Sequence, residues 1–201
     1  MRIIAGRYRG TRLCEPPSGN RRVSRPGPAP LRPTADRVRE NIFNLLVNGR
    51  LGDRVTGRHV LDLFAGTGAL GLEALSRGAA SVHFVDNDSA ARTVIERNIG
   101  RLRADGVATL NRCDATSLGR CPGRPFDLVF ADPPYRRGLG VRALLSAAEG
   151  GWLARDTVAV WEDGERQSVP DGFETHDVRR YGGSVIHVLR WRQREALPCG
   201  A

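Results

Sequence analysis

The chain has 201 residues, of which 40% are hydrophobic and 26% are charged, and its formal net charge is +9. This composition is typical of one folded domain and excludes a fibrous, disordered or disulfide-rich protein. The apolar runs are far shorter than the roughly 18 residues that span a bilayer, and residues 1–10 lack the apolar core of a signal peptide. We therefore expect a cytoplasmic protein without a membrane span.

The arginines are unevenly distributed along the chain. All 31 basic residues are arginine, and residues 1–58 contain 13 of them with only 4 of the 22 acidic residues. Residues 59–201 contain 18 arginines and 18 acidic residues, so the positive excess lies entirely in residues 1–58. A general preference for arginine over lysine would not separate charge in this way. This part of the chain is therefore predicted to bind a polyanion such as nucleic acid or an anionic membrane.

The first elements in chain order are a hairpin, a linker and a helix. Residues 2–14 alternate short apolar groups with glycines, which favours a small N-terminal β-hairpin. Residues 16–30 contain five prolines and three arginines, a composition typical of an extended, flexible linker. A helix is then predicted, with Thr34 as its N-cap and Gly49 at its end.

Strands alternate with helices in the remainder of the chain. The predicted strands are 59–64, 82–85, 107–111, 126–131 and 157–161, and the predicted helices are 69–77, 89–102 and 142–148. This alternation produces βαβ units, so we predict a doubly wound α/β fold with a mostly parallel sheet. Two further runs, 174–179 and 184–191, are joined by a short glycine turn and predict an antiparallel hairpin at one edge of the sheet.

The densest motif follows the first of these strands. Gly66, Gly68 and Gly71 form the pattern G-x-G-x-x-G, which also occurs in dinucleotide-binding proteins. Asp62 lies four residues before the first glycine, where a carboxylate would repel a pyrophosphate and attract an ammonium group. S-adenosylmethionine carries an ammonium group and no phosphate. The motif therefore favours S-adenosylmethionine over NAD as the cofactor.

Two further carboxylates follow predicted strands. Asp86 ends the second strand, where it can accept hydrogen bonds from the hydroxyls of a ribose. Asp114 follows the third strand, and with the next residue, Ala115, it can bind the edge of an adenine or cap a local turn. Since the carboxyl ends of parallel strands meet in one crevice, these carboxylates are predicted to surround a single ligand.

The strand at 126–131 runs into the motif Asp132-Pro133-Pro134-Tyr135. The two prolines end the strand, and the Asp132 carboxylate and the Pro133 carbonyl can accept both hydrogens of an exocyclic amine. Such acceptors would hold the amine in a nucleophilic geometry, and Tyr135 offers a ring on which a flipped base can stack. The motif predicts methylation of a nucleobase amine without a metal ion.

Longer stretches of the chain resemble one known family. Residues 3–13, 31–43, 68–77 and 132–138 together resemble the RsmD family, bacterial methyltransferases of guanine N2 in 16S ribosomal RNA of the small subunit. The resemblance implies a seven-stranded sheet with an antiparallel last strand. It also implies a hairpin and linker that engage RNA (1–31), a methyltransferase domain (32–195) and a tail (196–201). We expect a monomer that acts on 16S ribosomal RNA or on an assembly intermediate of the small subunit.

The resemblance assigns roles to individual residues. The expected contacts of S-adenosylmethionine are Asp62, Phe64, Ala65, Gly66, Gly68, Asp86, Asn87, Asp114, Ala115, Thr34 and Arg37. The residues expected to present the base are Asp132, Pro133, Pro134 and Tyr135. The residues expected to bind RNA are Arg7, Arg9, Arg12, Arg21, Arg22, Arg136 and Arg137.

Three alternatives remain open at this point. A DNA methyltransferase acting on adenine N6 or cytosine N4 would use the same Asp-Pro-Pro-Tyr motif. An NAD-dependent oxidoreductase would share the glycine motif but is disfavoured by Asp62. A non-catalytic assembly factor would keep the basic segment but would not require Asp132 and Tyr135 together.

Overall fold

The computed structural model describes residues 1–16, 32–134 and 138–192, with side chains from Asp36 onward in the second range. The predicted linker beyond Pro16 and the predicted tail, together with Arg21, Arg22, Tyr135, Arg136 and Arg137, lie outside the described residues. The helices are α1 (Arg32–Asn48), α2 (Ala69–Ser76), α3 (Ser89–Leu102) and α4 (Leu139–Glu149). The strands are β1 (His59–Leu63), β2 (Ser81–Val85), β3 (Ala108–Asn111), β4 (Phe126–Ala131), β5 (Leu153–Asp163), β6 (Phe173–Tyr181) and β7 (Ser184–Trp191).

The strands form one seven-stranded sheet in the order β3-β2-β1-β4-β5-β7-β6. Neighbours among β1 to β5 pair in parallel, and β7 is antiparallel to β5 and β6. Tyr181 pairs with Ser184 across a two-residue turn, a length that joins antiparallel strands. The predicted doubly wound fold with an antiparallel last strand is confirmed. The strand order reverses between β1 and β4, so the ligand crevice of such a sheet is expected there.

Helices cover both faces of the sheet because the central strands are apolar on both sides. One face packs against α1, α2 and α3 through residues that include Phe43, Leu72 and Ile95. The other face packs against α4 through Ala143 and Leu144. Because β1 to β5 are parallel, they all end at one edge of the sheet, which is called the carboxyl edge. They begin at the opposite edge, the amino edge.

Residues 1–16, the N-terminal segment, turn back on themselves, with the Ile3 N–H donating to the Thr11 carbonyl at 3.0 Å and the Leu13 N–H to the Met1 carbonyl at 3.1 Å. Regular strand pairing is limited to one antiparallel bridge, between Arg2 and Arg12. Other backbone groups of the segment bond to α2 and α3. Ile3 and Leu13 are buried in the same core as α1 to α3. The N-terminal segment is therefore packed onto the domain along its length.

The start of α1 also differs from the prediction. The helix begins at Arg32, so Thr34 lies inside its first turn and is not the N-cap. Pro33 is compatible with this position because the first turn of a helix does not use its backbone N–H groups.

No helix in the described part of the chain is long and apolar enough to cross a membrane. The same residues contain no group of three or more side chains arranged to hold a metal ion. Cys14, Cys113 and Cys121 are free thiols.

Candidate functional site

The turn after β1, residues 64–68, is called the glycine loop here. Every second residue of this loop has a positive φ, with values of 57° at Phe64, 59° at Gly66 and 75° at Gly68. A bulky residue with positive φ is uncommon and occurs mainly at ligand-binding sites. The loop is closed by the Gly68 N–H, which donates to the Ala65 carbonyl at 2.7 Å. The strained backbone at Phe64 supports a ligand-binding role for the loop.

Two glycines of the motif serve different purposes. A Cβ atom on Gly71 would lie 2.5 Å from Phe84 Cε1 and 2.7 Å from Val82 Cγ1, so this glycine lets α2 pack on the sheet. A Cβ atom on Gly66 would meet only the Phe64 carbonyl oxygen, at 3.8 Å. The space above Gly66 is therefore open to a ligand.

Asp62 lies beneath the glycine loop and is only 2% exposed. Its Oδ2 accepts a hydrogen bond from the Gly71 N–H at 2.9 Å. Burial raises the pKa of Asp62 well above its usual value, and the Gly71 hydrogen bond offsets only part of this rise. The nearby carboxylates of Asp132 and Asp86 raise the pKa further. A buried carboxylate of this kind gains stability when a proton or another cation approaches.

Asp86, at the carboxyl end of β2, supports the same loop. Its Oδ2 accepts from the Gly66 N–H and its Oδ1 from the Asp88 N–H, both at 2.8 Å. Burial raises the pKa of Asp86, and these two hydrogen bonds partly oppose the rise. Each carboxylate oxygen retains a lone pair for a further donor. The neighbouring Asn87 is exposed.

Asp114 is exposed at the carboxyl edge, beyond β3. Its Oδ1 accepts from the N–H and the hydroxyl of Thr116, both at 2.8 Å. Ala115, between them, is buried. The predicted role of Asp114 in capping a local turn is confirmed by these bonds, and a role toward adenine stays a prediction.

The Asp-Pro-Pro sequence begins where β4 ends, next to the end of β1. The Asp132 N–H lies 3.5 Å from the Leu63 carbonyl oxygen, which places the two strand ends side by side. Asp132 is half-buried, Pro133 is buried and Pro134 is exposed. Asp62, Asp86 and Asp132 thus converge at the switch point of the sheet, as the sequence predicted.

Glu162 is an acidic residue at this edge that the sequence reasoning missed. Ala131 pairs with Trp161 in the register of β4 and β5, so Glu162 lies beside Asp132. It is 8% exposed. The prediction ended β5 at residue 161, whereas the strand continues to Asp163. The signal that could have found it is an acidic residue directly after an apolar run, the same signal that identified Asp132.

The arginines predicted to bind RNA are not all near this crevice. Arg7, Arg9 and Arg12 are exposed. The Arg7 N–H donates to the Ser76 carbonyl at 2.7 Å, and Ser76 ends α2, which runs from the carboxyl edge back to the amino edge. Arg7 and Arg9 therefore lie near the amino edge, away from Asp132. Arg37 is exposed on α1, which also includes Thr34.

A groove of about 390 Å³ lies near the amino edge, at the opposite end of the strands. Its walls include His59, His83, Phe126 and Trp152. Open α/β sheets bind ligands at the carboxyl ends of their strands, and the convergent carboxylates and strained loop also lie there. The carboxyl edge is therefore the candidate functional site.

Known proteins resemble this chain over nearly its whole length. A family model described as "Conserved hypothetical protein 95" matches residues 1–190. The ribosomal RNA small subunit methyltransferase D of Escherichia coli K12 is 38% identical over 200 residues, covering 98% of this chain and 91% of that protein. A solved Escherichia coli structure described as a candidate methyltransferase has a TM-score of 0.78 at 34% identity, covering 96% of this chain and 99% of that chain. A Haemophilus influenzae structure described as a candidate methylase has a TM-score of 0.74 at 26% identity, covering 96% and 98%.

Proposed function

The chain belongs to the RsmD family of methyltransferases, and on that premise we propose that it methylates the N2 amine of a guanine in 16S ribosomal RNA, with S-adenosylmethionine as the donor. The observation that carries this proposal is that Asp62 and Asp132 lie at adjacent strand ends, since Leu63 pairs with Ala131 and the Asp132 N–H lies 3.5 Å from the Leu63 carbonyl oxygen. Asp62 lies beneath the glycine loop, where the donor would bind. Asp132 begins the Asp-Pro-Pro sequence, where the amine would bind. Methyl transfer requires a donor site and an amine site in one crevice.

The carboxyl edge fits S-adenosylmethionine. The open space next to Gly66, where a Cβ atom would meet only the Phe64 carbonyl oxygen, supports this assignment. Asp62 would attract the ammonium group, Asp86 would bind the ribose hydroxyls, and Asp114 with Ala115 would bind the adenine. The other donor contacts in the proposal are Phe64, Ala65, Gly68, Asn87, Thr34 and Arg37.

The chemistry needs no metal ion and no covalent enzyme intermediate. The bound donor supplies a methyl group on a sulfonium: the amine nitrogen forms the new N–C bond, the S–C bond breaks with its electron pair left on sulfur, and the amine loses one proton. Asp132 and the Pro133 carbonyl hold the two amine hydrogens, and Asp132 receives the proton after the new bond forms. Because an ordinary aspartate has a pKa of about 3.9 and is a weak base, positioning contributes more than deprotonation.

RNA binding is assigned to the arginine-rich part of the chain. Arg7, Arg9 and Arg12 would bind phosphates, and the proposal extends to Arg21, Arg22, Arg136 and Arg137 on sequence grounds. Tyr135 would stack on the flipped base, next to Pro134. Residues 1–31 would thus bind the RNA, and residues 32–195 would carry out methyl transfer. The proposal is for a monomer, since one chain carries every proposed site residue. A ribosomal substrate also implies a cytoplasmic location.

Methyl transfer to defined substrates tests the proposal. Labelled S-adenosylmethionine is offered with the purified chain to small ribosomal subunits from a strain that lacks the gene, to naked 16S ribosomal RNA and to duplex DNA. Label at a guanine N2 of the RNA is the expected result. Label in DNA would instead show that the chain methylates an amine of DNA. The absence of label in every substrate would overturn the proposal.

A further inference from the structure

Asn98, a fully buried residue of α3, joins the N-terminal segment to the glycine loop. Its Nδ2 donates to the Thr67 carbonyl at 2.9 Å and to the Cys14 carbonyl at 3.3 Å. Its Oδ1 accepts from the Cys14 N–H at 2.6 Å. Both hydrogens of the side-chain amide are therefore used at this junction: one binds the glycine loop and the other binds the N-terminal segment.

The hydrogen bond to Thr67 fixes the orientation of a peptide group in the glycine loop. The Thr67 carbonyl and the Gly68 N–H belong to one planar peptide unit, so orienting one orients the other. The Gly68 N–H closes the loop by donating to the Ala65 carbonyl at 2.7 Å. Loss of the Asn98 side chain would leave the Thr67 carbonyl without this donor and would release the peptide that closes the loop.

Residues 4 and 5 of the N-terminal segment are held by a different buried residue, Glu73 of α2. Its carboxylate accepts from the N–H groups of Ile4 and Ala5 at 2.7 and 3.1 Å. It also accepts from Arg77 Nε at 2.8 Å, and Arg39 Nε lies 3.7 Å away. These contacts hold the segment on α2 without reaching the glycine loop.

We propose that Asn98 is a positioning residue that couples donor binding at the glycine loop to RNA binding by the N-terminal segment. The inference rests on the proposed function, which assigns the loop to S-adenosylmethionine and the exposed arginines Arg7, Arg9 and Arg12 to RNA. Each ligand orders one side of a junction that shares the Asn98 amide, so each lowers the ordering cost for the other. Thermodynamic reciprocity requires that RNA and donor raise each other's affinity by the same factor. We expect this factor to be about fivefold or more.

The test compares two variants that each remove side-chain contacts from the N-terminal segment. Asn98→Ala removes the contacts to Cys14 and Thr67. Ser76→Ala is the matched control, because Ser76 Oγ accepts from the Tyr8 N–H at 2.9 Å and donates to the Ala5 carbonyl at 2.5 Å. It loosens the same segment and leaves the Asn98 contacts in place.

Calorimetry then measures the affinity for S-adenosylhomocysteine with and without 16S ribosomal RNA. We expect RNA to raise this affinity about fivefold or more in the wild type and in Ser76→Ala, and not in Asn98→Ala. The inference is overturned if Asn98→Ala keeps the RNA effect, if Ser76→Ala loses it, or if the wild type lacks it. Thermal unfolding of both variants separates a general loss of stability from a loss of coupling.

Amide hydrogen exchange in the wild type provides a test that does not depend on a folded Asn98→Ala variant. S-adenosylhomocysteine should slow exchange of the Cys14 N–H, which bonds to Asn98, and leave the Arg7 N–H, which bonds to Ser76, unchanged. Unchanged protection at Cys14 in the saturated protein would refute the coupling. Failure of the wild type to bind S-adenosylhomocysteine at all would instead refute the proposed donor site.

Discussion

Asp53, which precedes β1, and Asp62, near the carboxyl end of β1, experience opposite electrostatic environments. Asp53, in the turn that leads to the amino edge, accepts hydrogen bonds through Oδ1 from the N–H groups of Val55 and Thr56 at 2.8 and 3.0 Å. Partial burial alone would raise the pKa of Asp53, but a hydrogen bond from the Thr56 side chain, the two N–H bonds and the charge of Arg58 together lower it. The pKa of Asp62, at the carboxyl edge, is instead raised by burial and by neighbouring carboxylates.

The difference distinguishes carboxylates that stabilise the fold from carboxylates that are positioned to bind a ligand. An aspartate with a lowered pKa stabilises the folded state at neutral pH, whereas one with a raised pKa destabilises it there. The Asp53 carboxylate is satisfied by donors of its own turn, whereas the carboxyl edge brings carboxylates together beneath the glycine loop. Unfavourable groups of this kind are retained where a ligand compensates for them.

The largest expected effect on the rate of methyl transfer comes from comparing the replacement of an aspartate at each end of β4. Asp132→Ala removes the amine acceptor at the carboxyl edge and should slow methyl transfer by about 10³-fold. Asp127→Ala removes the acceptor that binds the His59 N–H at 2.9 Å at the amino edge. It should lower the free energy of unfolding by about 1–2 kcal/mol and leave the rate within a few-fold of the wild type.

Single-turnover methyl transfer and urea unfolding distinguish these two roles. Donor affinity should be similar in both variants and in the wild type. If Asp132→Ala retained full activity, or if both variants lost activity in proportion to their stability, the assignment of Asp132 to the amine would be wrong.

The next effect concerns pH. Because the pKa values of Asp62 and Asp86 are raised, both carboxylates become protonated while the pH is still above the ordinary aspartate value of about 3.9. The affinity for the cationic donor should therefore fall as pH is lowered through this window, by up to about tenfold per unit for each group. Calorimetric titrations with S-adenosylmethionine measure this change.

Stability should respond with the opposite sign in the same window. The folded state binds more protons at Asp62 than the unfolded state does, so this residue's contribution to the unfolding free energy rises as pH falls. The stabilisation from Asp53 is present above the ordinary aspartate pKa and is lost only as pH falls through its lowered value. Parallel loss of donor affinity and stability above the ordinary pKa would contradict this separation.

The smallest effect concerns the arginines near the amino edge. Arg7→Ala and Arg9→Ala should each reduce the slope of log affinity for RNA against log salt by about 0.7 and leave donor affinity unchanged. Filter binding over a series of salt concentrations provides the slope. Arg180→Ala, at an exposed position on β6, is the control and should not change it.

The sequence predicted the carboxyl edge well because its signals are local. The glycine loop, Asp62, Asp86 and Asp132 each follow an apolar run, and the handedness of βαβ units brings such strand ends together. The parallel alignment of β1 and β4 then accounts for the proximity of Asp62 and Asp132. No long-range information beyond the order of elements was needed.

The N-terminal segment could not be predicted in the same way. Its backbone groups bond to Glu73 and Asn98, which lie 69 and 84 positions further along the chain. Local alternation of apolar residues therefore predicted a turn of the segment back on itself, but it could not predict the tertiary contacts that dock the segment on α2 and α3. The same reason explains why Asn98 was missed, since its role depends on Cys14 and Thr67, which are distant in sequence.

The most direct measurement is thermal unfolding of Asp62→Asn, with and without saturating S-adenosylmethionine. The asparagine keeps an acceptor for the Gly71 N–H but removes the buried charge. Without donor, the melting temperature should rise by about 2–4 °C for each kcal/mol of relief. The further rise on adding the donor should be smaller than in the wild type, because the countercharge for the ammonium group is gone. A lower melting temperature together with an undiminished donor effect would contradict a ligand-serving role for the carboxyl edge.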